Sequence, residues 1–521
     1  MLIDLKKINE PLKLQCDLCI VGTGAAGLSL ATALSNTPLN ILLLEAGGLK
    51  DEAQTQALYD VEISGLPHPG ATEGRFRTHG GSTTRWGGQT LPLMPIDFEK
   101  REWVPYSGWP ITYDELKPYY QRATQFLLVD QKNFDSDLLI HLNATPPAFN
   151  TSELYYHFSK WSPTPNVREN HFANIKASSH CTLLLHANVT KIICNENKTH
   201  VQQIEARSLT GQHATIIAKN VVLCTGGIET ARLLLVNHIG NDHDLVGRFF
   251  QDHPSAFIGW LNTTNPKQVQ KLFSQFHKQR LKYSVRCTAA QAWQREKRVL
   301  NISSGIHFIE ENPIYQNTKE IYQDLRHLRF SGATLRKIRQ SIRHPFKIAS
   351  PITQYLLKGR SYVPDARFQI GVTTEQEPNP NSRITLSERR DALGMPLSNL
   401  NWQLTALTHY SIQQFAINLC DAFHHANIGE IILEPWVLDN ANASQESITD
   451  QFHHIGTARM HDSPSHGVVD RDCRVHGFDN LYIGSSAVFP TSGHSNPTFT
   501  IIALCMRLAD KLRGGQYVRQ I

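Results

Sequence analysis

Histidine and asparagine side chains near the C-terminus have the chemistry that proton abstraction from a hydroxyl group requires. His453 opens the pattern HHIGT, and Asn496 lies in the later segment GHSNPT. The unperturbed pKa of histidine is about 6.5, so its neutral ring can accept a proton near pH 7. An asparagine amide can hold a hydroxyl group by hydrogen bonds without titrating. The segment is therefore a candidate catalytic site in which a histidine could act as the base.

Two neighbouring histidines compete for this role, and a third, His253, could be a ligand. His454 is adjacent to His453, but in an extended segment the two side chains point to opposite sides. His494 precedes Asn496 by two residues, and His253 precedes Pro254 in the segment FFQDHP. For His494 and His253 we favour the interpretation as core histidines with structural hydrogen bonds.

A nucleotide-binding unit is predicted over residues 16–45, as strand, tight turn, helix and strand. Gly22, Gly24 and Gly27 have the GxGxxG spacing that brings a pyrophosphate to a helix N-terminus. Glu45 ends the second strand, where an acidic side chain binds ribose hydroxyls. A surface glutamate is the alternative interpretation. The unit predicts a dinucleotide with an unphosphorylated ribose and leaves both FAD and NAD open.

A second glycine-rich segment, GRFRTHGGSTTRWGGQ at 74–89, mixes glycines with basic and hydroxyl residues. This composition is typical of a loop whose backbone lies close to a polyanion or a flat ring. A glycine-rich turn without a ligand is the alternative.

Together these segments resemble the glucose-methanol-choline (GMC) flavoprotein oxidoreductases, with similar motifs from Asp17 to Lys511. The resemblance is nearer the pyranose oxidase and fructose dehydrogenase branch, which has tryptophan at the position of Trp86. It implies FAD as the cofactor, His453 in HxxGT as the base and Asn496 in NPT as the second catalytic residue. It also implies a set of residues near the cofactor: Ser82, Trp86, Gly87, Gly88, Val189, Ser485 and Thr498.

Arg85 departs from the pattern of that branch. Pyranose oxidases attach their flavin through a histidine immediately before the tryptophan, and this chain has Arg85 there. The resemblance therefore implies FAD held without a covalent bond. No metal site is predicted.

The expected fold class is α/β, with a Rossmann-like FAD-binding domain and a second, substrate-binding domain. The FAD-binding domain is predicted to be discontinuous, over 1–113, 181–254 and 450–521. Residues 114–180 and 255–449 are assigned to the substrate domain, which we expect to contain an antiparallel sheet flanked by helices. Within it, 366–401 is predicted to form sheet strands joined by a turn at PNPNS.

Composition limits the partners and the cellular location. The 521-residue chain has a net charge of +5 and lacks the dense positive charge of a duplex-binding protein. Nine scattered cysteines favour a reducing compartment, and Cys16 and Cys19 are predicted to be buried thiols in a strand. Neither a signal peptide nor an apolar membrane span is recognisable, so we expect a cytoplasmic protein.

Basic residues are concentrated between 315 and 362. Apolar residues recur there near helical spacing, so a basic amphipathic helix pair is predicted. A solvated helix face is the favoured interpretation, and peripheral contact with a partner or a membrane surface is the alternative.

The resemblance predicts oxidation of an alcohol or sugar hydroxyl to a carbonyl by proton abstraction and hydride transfer to FAD. Dioxygen, a quinone or a redox partner protein would accept the electrons. A non-redox lyase of the hydroxynitrile-lyase type and a dehydrogenase subunit that passes electrons to a partner are the alternatives.

Overall fold

Two large β-sheets and one small sheet organise the chain. The computed structural model describes residues 1–310, 317, 320–321, 324, 331–342, 345–439 and 447–517. The α-helices of these residues are Ala25–Leu34, Ala53–Gln56, Gly70–Glu73, Pro95–Phe98, Tyr113–Phe126, Ser136–Leu142, Val167–Ala177, Gly226–Val236, Pro266–Phe273, Gln291–Lys297, Gly332–Ile342, Pro345–Lys358, Ala406–His425, Pro435–Leu438 and Pro497–Tyr517.

The first sheet is mixed, with a parallel core and an antiparallel edge. Its central strand Leu12–Val21 ends in a continuous buried apolar run, as expected for a parallel strand covered on both faces. Strands Asn188–Cys194 and Val201–Arg207 form an antiparallel pair at the edge. The spatial order is Leu2–Asp4, Cys181–Leu185, Ile41–Leu44, Leu12–Val21, His213–Leu223, Val201–Arg207 and Asn188–Cys194, with Leu481–Ile483 also beside His213–Leu223.

The predicted strand, turn, helix and strand of the nucleotide-binding unit are present. Helix Ala25–Leu34 begins directly after Gly24 and packs against the C-terminal helix Pro497–Tyr517. Ala and Leu dominate the first of these helices, and both residue types have high helix propensity. The turn at Gly22 and Gly24 therefore lies at the carboxyl edge of the parallel strands, where α/β proteins bind nucleotides.

The second large sheet is antiparallel throughout. Strand residues alternate between buried and less buried positions, as in Arg367–Thr374, and helix Ala406–His425 packs against the sheet. The spatial order is Glu430–Leu433, Ser255–Asn262, Arg367–Thr374, Ile302–Ile309, Leu281–Ala289, Leu154–Trp161 and Gln89–Thr90, with Phe276–Lys278 beside Leu281–Ala289.

The prediction for 366–401 was partly wrong. Strand Arg367–Thr374 belongs to the antiparallel sheet, but Arg383–Arg390 pairs with Pro396–Asn401 in a separate three-stranded sheet completed by Val61–Ile63. The segment PNPNS is therefore a crossing between two sheets rather than a hairpin turn. Alternation in the sequence marks strands but does not show which strands pair.

Each large sheet has its own hydrophobic core. One cluster includes Ile20, Leu43 and Val222, and the other includes Phe158 and Ile370. This division confirms the predicted fold class of a Rossmann-like part and a part built on an antiparallel sheet. The domain boundaries stay a prediction, and helices Tyr113–Phe126 and Val167–Ala177, from the segment assigned to the substrate domain, pack against helices beside the mixed sheet.

Three other expectations concern the cysteines, membrane spans and the basic segment. All nine cysteines are free thiols, with Cys19 buried and Cys16 half-buried. Within the described part of the chain, no helix has the length and apolar character needed to cross a membrane. Helices Gly332–Ile342 and Pro345–Lys358 form the predicted pair, whereas Lys319, Arg326, Arg329 and Arg343 lie outside the described residues.

Candidate active site

Asp252 connects the two chain segments that carry the candidate catalytic histidines. Its buried carboxylate accepts hydrogen bonds from the backbone N–H groups of His253 at 2.6 Å, Gln451 at 3.0 Å and His453 at 2.9 Å. Burial alone would raise the pKa of Asp252, but the hydrogen bond and charge of His68, together with His453 and His454, hold it well below its usual range. The negative charge of Asp252 therefore lies within 4.8 Å of a ring nitrogen of both His253 and His453.

The rings of His253 and His453 are in direct contact. His253 Nδ1 and His453 Nδ1 are 2.7 Å apart, and His253 Nε2 lies 3.2 Å from the carbonyl oxygen of Ser492. A carbonyl oxygen can only accept, so His253 Nε2 carries a proton and its Nδ1 is the acceptor when the ring is neutral. His453 then donates from Nδ1, which leaves Nε2 as the nitrogen with a free lone pair.

The free nitrogen of His453 faces Asn496. His453 Nε2 is 3.4 Å from Asn496 Nδ2. Desolvation lowers the pKa of His453 to about 3, and the charges of His253 and Arg286 act in the same direction while Asp252 opposes them. Burial also lowers the pKa of His253. Both rings are therefore neutral at pH 7, and His453 can act as a proton acceptor.

His454 points to a different neighbourhood. Its ring packs near His68 and Phe250, with ring centroids 5.6 Å and 6.1 Å away, and its Nε2 has no hydrogen-bond partner among the described residues. His68 Nε2 lies 3.1 Å from a carboxylate oxygen of Asp252. The predicted divergence of His453 and His454 agrees with this arrangement.

Two overlapping groups of residues have the composition of a metal site. His68, Asp252 and His454 form one group, and Asp252, His253 and His453 form the other, each with its ligand atoms within 4.8 Å of one another. The backbone hydrogen bonds to Asp252 and the contact between His253 and His453 account for the second group without a metal ion.

One cavity contains both His453 and the glycine turn. Gly22 has a φ of 102°, and a Cβ there would lie 2.5 Å from the carbonyl oxygen of Cys224. A Cβ on Gly81, from the second glycine-rich segment, would lie 2.9 Å from the Cα of Gly24. Both glycine segments line the cavity, so their bare backbones leave room that side chains would fill. These residues fit a dinucleotide whose phosphates lie at the N-terminus of helix Ala25–Leu34.

Glu45 is buried in the wall of this cavity. Its carboxylate accepts hydrogen bonds from the backbone N–H groups of Thr23 at 3.2 Å and Gly47 at 2.9 Å, and from the Thr23 hydroxyl. Burial raises its pKa, against the effect of these hydrogen bonds. A buried acceptor at this strand end has the position expected of a ribose-binding carboxylate.

Most of the predicted cofactor residues line the same cavity. They are Gly22, Gly24, Glu45, Ser82, Trp86, Val189, Ser485 and Thr498. Gly27 lies instead between helix and strand, where a Cβ would meet the carbonyl oxygen of Gly22 at 2.0 Å. Gly87 packs against Trp161, and Gly88 packs against Pro165. Those three glycines are not among the residues that line the cavity.

Sequence reasoning did not select a buried charge cluster in the cavity wall. Arg75 and Arg77 contact Glu229 at 3.3 Å and 2.9 Å. Burial would raise the pKa of Glu229, but Arg232, Arg77 and Arg75 lower it below its usual value. The basic residues of 74–89 were visible in the sequence, but their partner is more than 150 positions away.

The role of His253 was also missed. The sequence favoured a structural histidine with hydrogen bonds, and the structure places one of those bonds on His453, 200 residues away. The available indication in the sequence was the motif DHP at 252–254, because Asp252 and His253 both contact the segment that carries His453.

The chain is similar to known proteins over most of its length. Two profiles described as GMC oxidoreductase match the chain, one over residues 167–255 and the other over residues 378–505. The fructose dehydrogenase large subunit of Gluconobacter japonicus is 23% identical over 96% of this chain and 98% of its own length. The 2-methyl-1,2-propanediol dehydrogenase of Mycolicibacterium austroafricanum is 23% identical over 95% of each chain.

Solved structures share the fold. Pyridoxine 4-oxidase from Mesorbium loti superimposes with a TM-score of 0.56 at 16% identity, over 96% of this chain and 99% of its own. A variant of Aspergillus oryzae formate oxidase, studied for its FAD modification, has a TM-score of 0.58 at 16% identity, over 98% and 100% of the two chains. The family and its FAD-containing members support FAD as the cofactor. The chain therefore belongs to the GMC oxidoreductase family and is an oxidoreductase of that type.

Proposed function

We propose that this protein oxidises an alcohol or sugar hydroxyl to a carbonyl, with His453 as the base and non-covalently bound FAD as the cofactor. The observation that carries the proposal is the environment of His453. Its unprotonated Nε2 faces Asn496, and His453 shares one cavity with Gly22, Gly24 and Glu45. A proton acceptor and a nucleotide site are thereby brought together.

Asn496 and His453 would have different roles toward the substrate hydroxyl. A substrate hydroxyl would lie between Asn496 Nδ2, which donates to the oxygen, and His453 Nε2, which accepts the proton. Loss of that proton and of a hydride from the adjoining carbon yields the carbonyl. FAD, when bound, supplies the acceptor for the hydride.

The remaining residues stabilise the protonated base. Once His453 has taken the proton, its Nδ1–H still donates to His253, and the negative charge of Asp252 favours the charged ring. His253 therefore fixes the tautomer before the reaction, and Asp252 offsets part of the charge afterwards.

The cofactor would be held by the residues that line the cavity. Gly22 and Gly24 would approach the pyrophosphate, Glu45 the ribose and Val189 the adenine. Ser82, Trp86, Ser485 and Thr498 would lie at the ring, while Gly27, Gly87 and Gly88 would shape the surrounding backbone. Arg85 is exposed and pairs with Asp51, so the position before Trp86 offers no histidine for a covalent bond.

The test is an anaerobic absorbance screen of the FAD-loaded protein against alcohols and sugars, followed by admission of air. A substrate should bleach the flavin band, and fast recovery in air would identify an oxidase, whereas slow recovery would identify a dehydrogenase that needs another acceptor. A protein that turns over a compound without bleaching would instead be a non-redox lyase.

Substitution His453→Asn should lower the rate of bleaching by a factor of roughly 10²–10⁴, because the general base is lost. The content of FAD should not change. His243→Asn is the matched control, since His243 is exposed on the surface. Equal bleaching rates in His453→Asn and the unsubstituted protein would reject His453 as the base.

A further inference from the structure

A second cavity of about 710 Å³ lies on the antiparallel sheet, close to the catalytic segment. Strands Ser255–Asn262, Leu281–Ala289, Ile302–Ile309 and Arg367–Thr374 contribute to its wall. Gln451 also lines it, two residues before His453. The cavity therefore lies next to the chain segment that carries His453.

The wall of this cavity is rich in hydroxyl and amide groups. Among its described residues there is no aspartate, glutamate or lysine, and Arg286 is the single arginine. The hydroxyl and amide side chains belong to Gln89, Ser255, Gln270, Ser274, Gln275, Ser284, Ser304, Ser361, Thr373, Ser447, Thr449 and Gln451. A wall of this composition fits a ligand with several hydroxyl groups.

Arg286 lies in this wall without an acidic partner among the described residues. Desolvation lowers its pKa to about 10, so it remains charged at pH 7. Two buried arginines elsewhere have acidic partners, Arg101 in a bidentate contact with Glu375 and Arg232 in a contact with Asp391, whereas buried Arg459 donates to the carbonyl oxygen of Tyr106. Arg286 is half-buried and lines the cavity, so an anionic ligand there would supply the counter-ion that the described residues do not.

The positive charge of Arg286 acts electrostatically on His453 and on other nearby histidines. After desolvation, it contributes to the low pKa values of His453, His157, His307 and His494. An anion bound at Arg286 would therefore lie within electrostatic reach of His453.

We propose that Arg286 binds an anionic oxygen group of the substrate, a carboxylate or a phosphate, on a molecule whose hydroxyl group is presented to His453. This inference rests on the proposed function. A planar guanidinium can donate two parallel hydrogen bonds to either group, and the polar wall would hold further hydroxyls. Cationic alcohols would be repelled by the same charge.

The first test compares matched neutral and anionic substrates of the FAD-loaded protein: glycerol, glycerate and glycerol 3-phosphate, then glucose, gluconate and glucose 6-phosphate. One anionic member should exceed its neutral counterpart in kcat/KM by roughly 10- to 100-fold, as for a charge-assisted contact. The effect should appear mainly in KM, because Arg286 does not contact the reacting hydroxyl. Preference for the carboxylates or for the phosphates identifies the group.

Substitutions of Arg286 test whether this residue causes the preference for anionic substrates. In Arg286→Gln the advantage of the anionic substrate should disappear, while Arg286→Lys should retain part of it. Arg389→Gln, which removes an exposed arginine from the small sheet, is the matched control and should keep the full preference. Equal use of neutral and anionic substrates, or a preference that survives in Arg286→Gln, would overturn the proposal.

A binding measurement separates this proposal from the catalytic one. Calorimetric titration of the FAD-loaded protein with acetate and with inorganic phosphate needs no turnover. One of them should bind to the unsubstituted protein and to Arg389→Gln, with an affinity reduced at least tenfold in Arg286→Gln. Such binding without oxidation of any compound would reject the proposed function and retain the anion site. Absence of binding, or equal binding to Arg286→Gln, would reject the anion site.

Discussion

At the scale of single residues, the site depends on which nitrogen of His453 is free. The carbonyl oxygen of Ser492 fixes the proton of His253, and His253 in turn fixes the proton of His453. Histidine has two chemically distinct ring nitrogens, so a catalytic base needs a neighbour that selects one of them. In this protein that neighbour is a positioning residue, His253, which does not itself face Asn496.

Substitution His253→Leu should reduce the rate of flavin bleaching by roughly 10- to 100-fold, because both tautomers of His453 become accessible. His253→Asn places an amide oxygen near the position of Nδ1 and should recover most of the rate. Bleaching rate, FAD content and melting temperature would be measured together. If the two variants lost activity equally at unchanged stability, the tautomer role would be excluded.

At the scale of secondary structure, the glycine turn joins a strand to a helix at very close range. Gly27 lies against the carbonyl oxygen of Gly22 and the side chain of Ile20, so helix Ala25–Leu34 can approach strand Leu12–Val21 closely. This approach sets the direction in which the helix N-terminus points. The absence of a side chain at Gly27 therefore affects both the packing of the turn and the position of the nucleotide site.

Gly27→Ala should lower the free energy of unfolding by about 1–3 kcal/mol, since its Cβ would meet a carbonyl oxygen at 2.0 Å and the helix must move. FAD affinity should fall as well. Gly514→Ala is the control in another helix, because Gly514 is exposed and its Cβ would meet no atom within 4 Å. Urea unfolding and flavin retention measure both effects, and an equally stable Gly27→Ala protein would contradict the packing argument.

At the scale of the whole molecule, many histidines are held neutral in the interior. Burial lowers the pKa of His79 to about 4 and those of His157, His453 and His454 to about 3. In the unfolded chain each of them would have a pKa of about 6.5. Between these values the unfolded chain binds more protons than the folded protein, so stability falls as the pH decreases.

The free energy of unfolding should therefore decrease from pH 7 to pH 5. Asp97, whose pKa burial raises to about 7, acts in the opposite direction, but four histidines outweigh it. His157→Gln keeps a polar group beside Thr288 and should reduce the slope by at most about 1.4 kcal/mol per pH unit. Urea midpoints at each pH give the slope, with exposed His213→Gln as the control. A slope unchanged by His157→Gln would contradict this assignment.

Local structure was predictable from the sequence alone. Helix Ala25–Leu34 occurs as expected, and Thr112 and Glu115 form a capping box at the start of helix Tyr113–Phe126. These features depend on glycine spacing, helix propensity and hydrogen bonds within a few residues. The candidate base and its asparagine partner were recognisable through the family resemblance, because His453 and Asn496 lie in short motifs.

Tertiary structure decided what depends on distant contacts. His253 contacts His453 across 200 residues, and Arg286 lies in a cavity wall to which six strands contribute. The pairing of Arg383–Arg390 with Pro396–Asn401, instead of Arg367–Thr374, was likewise not readable from alternation. A sequence specifies which groups are available and how each segment tends to fold. The proton position on a ring, and whether a charge has a partner, depend on neighbours that only the folded chain brings together.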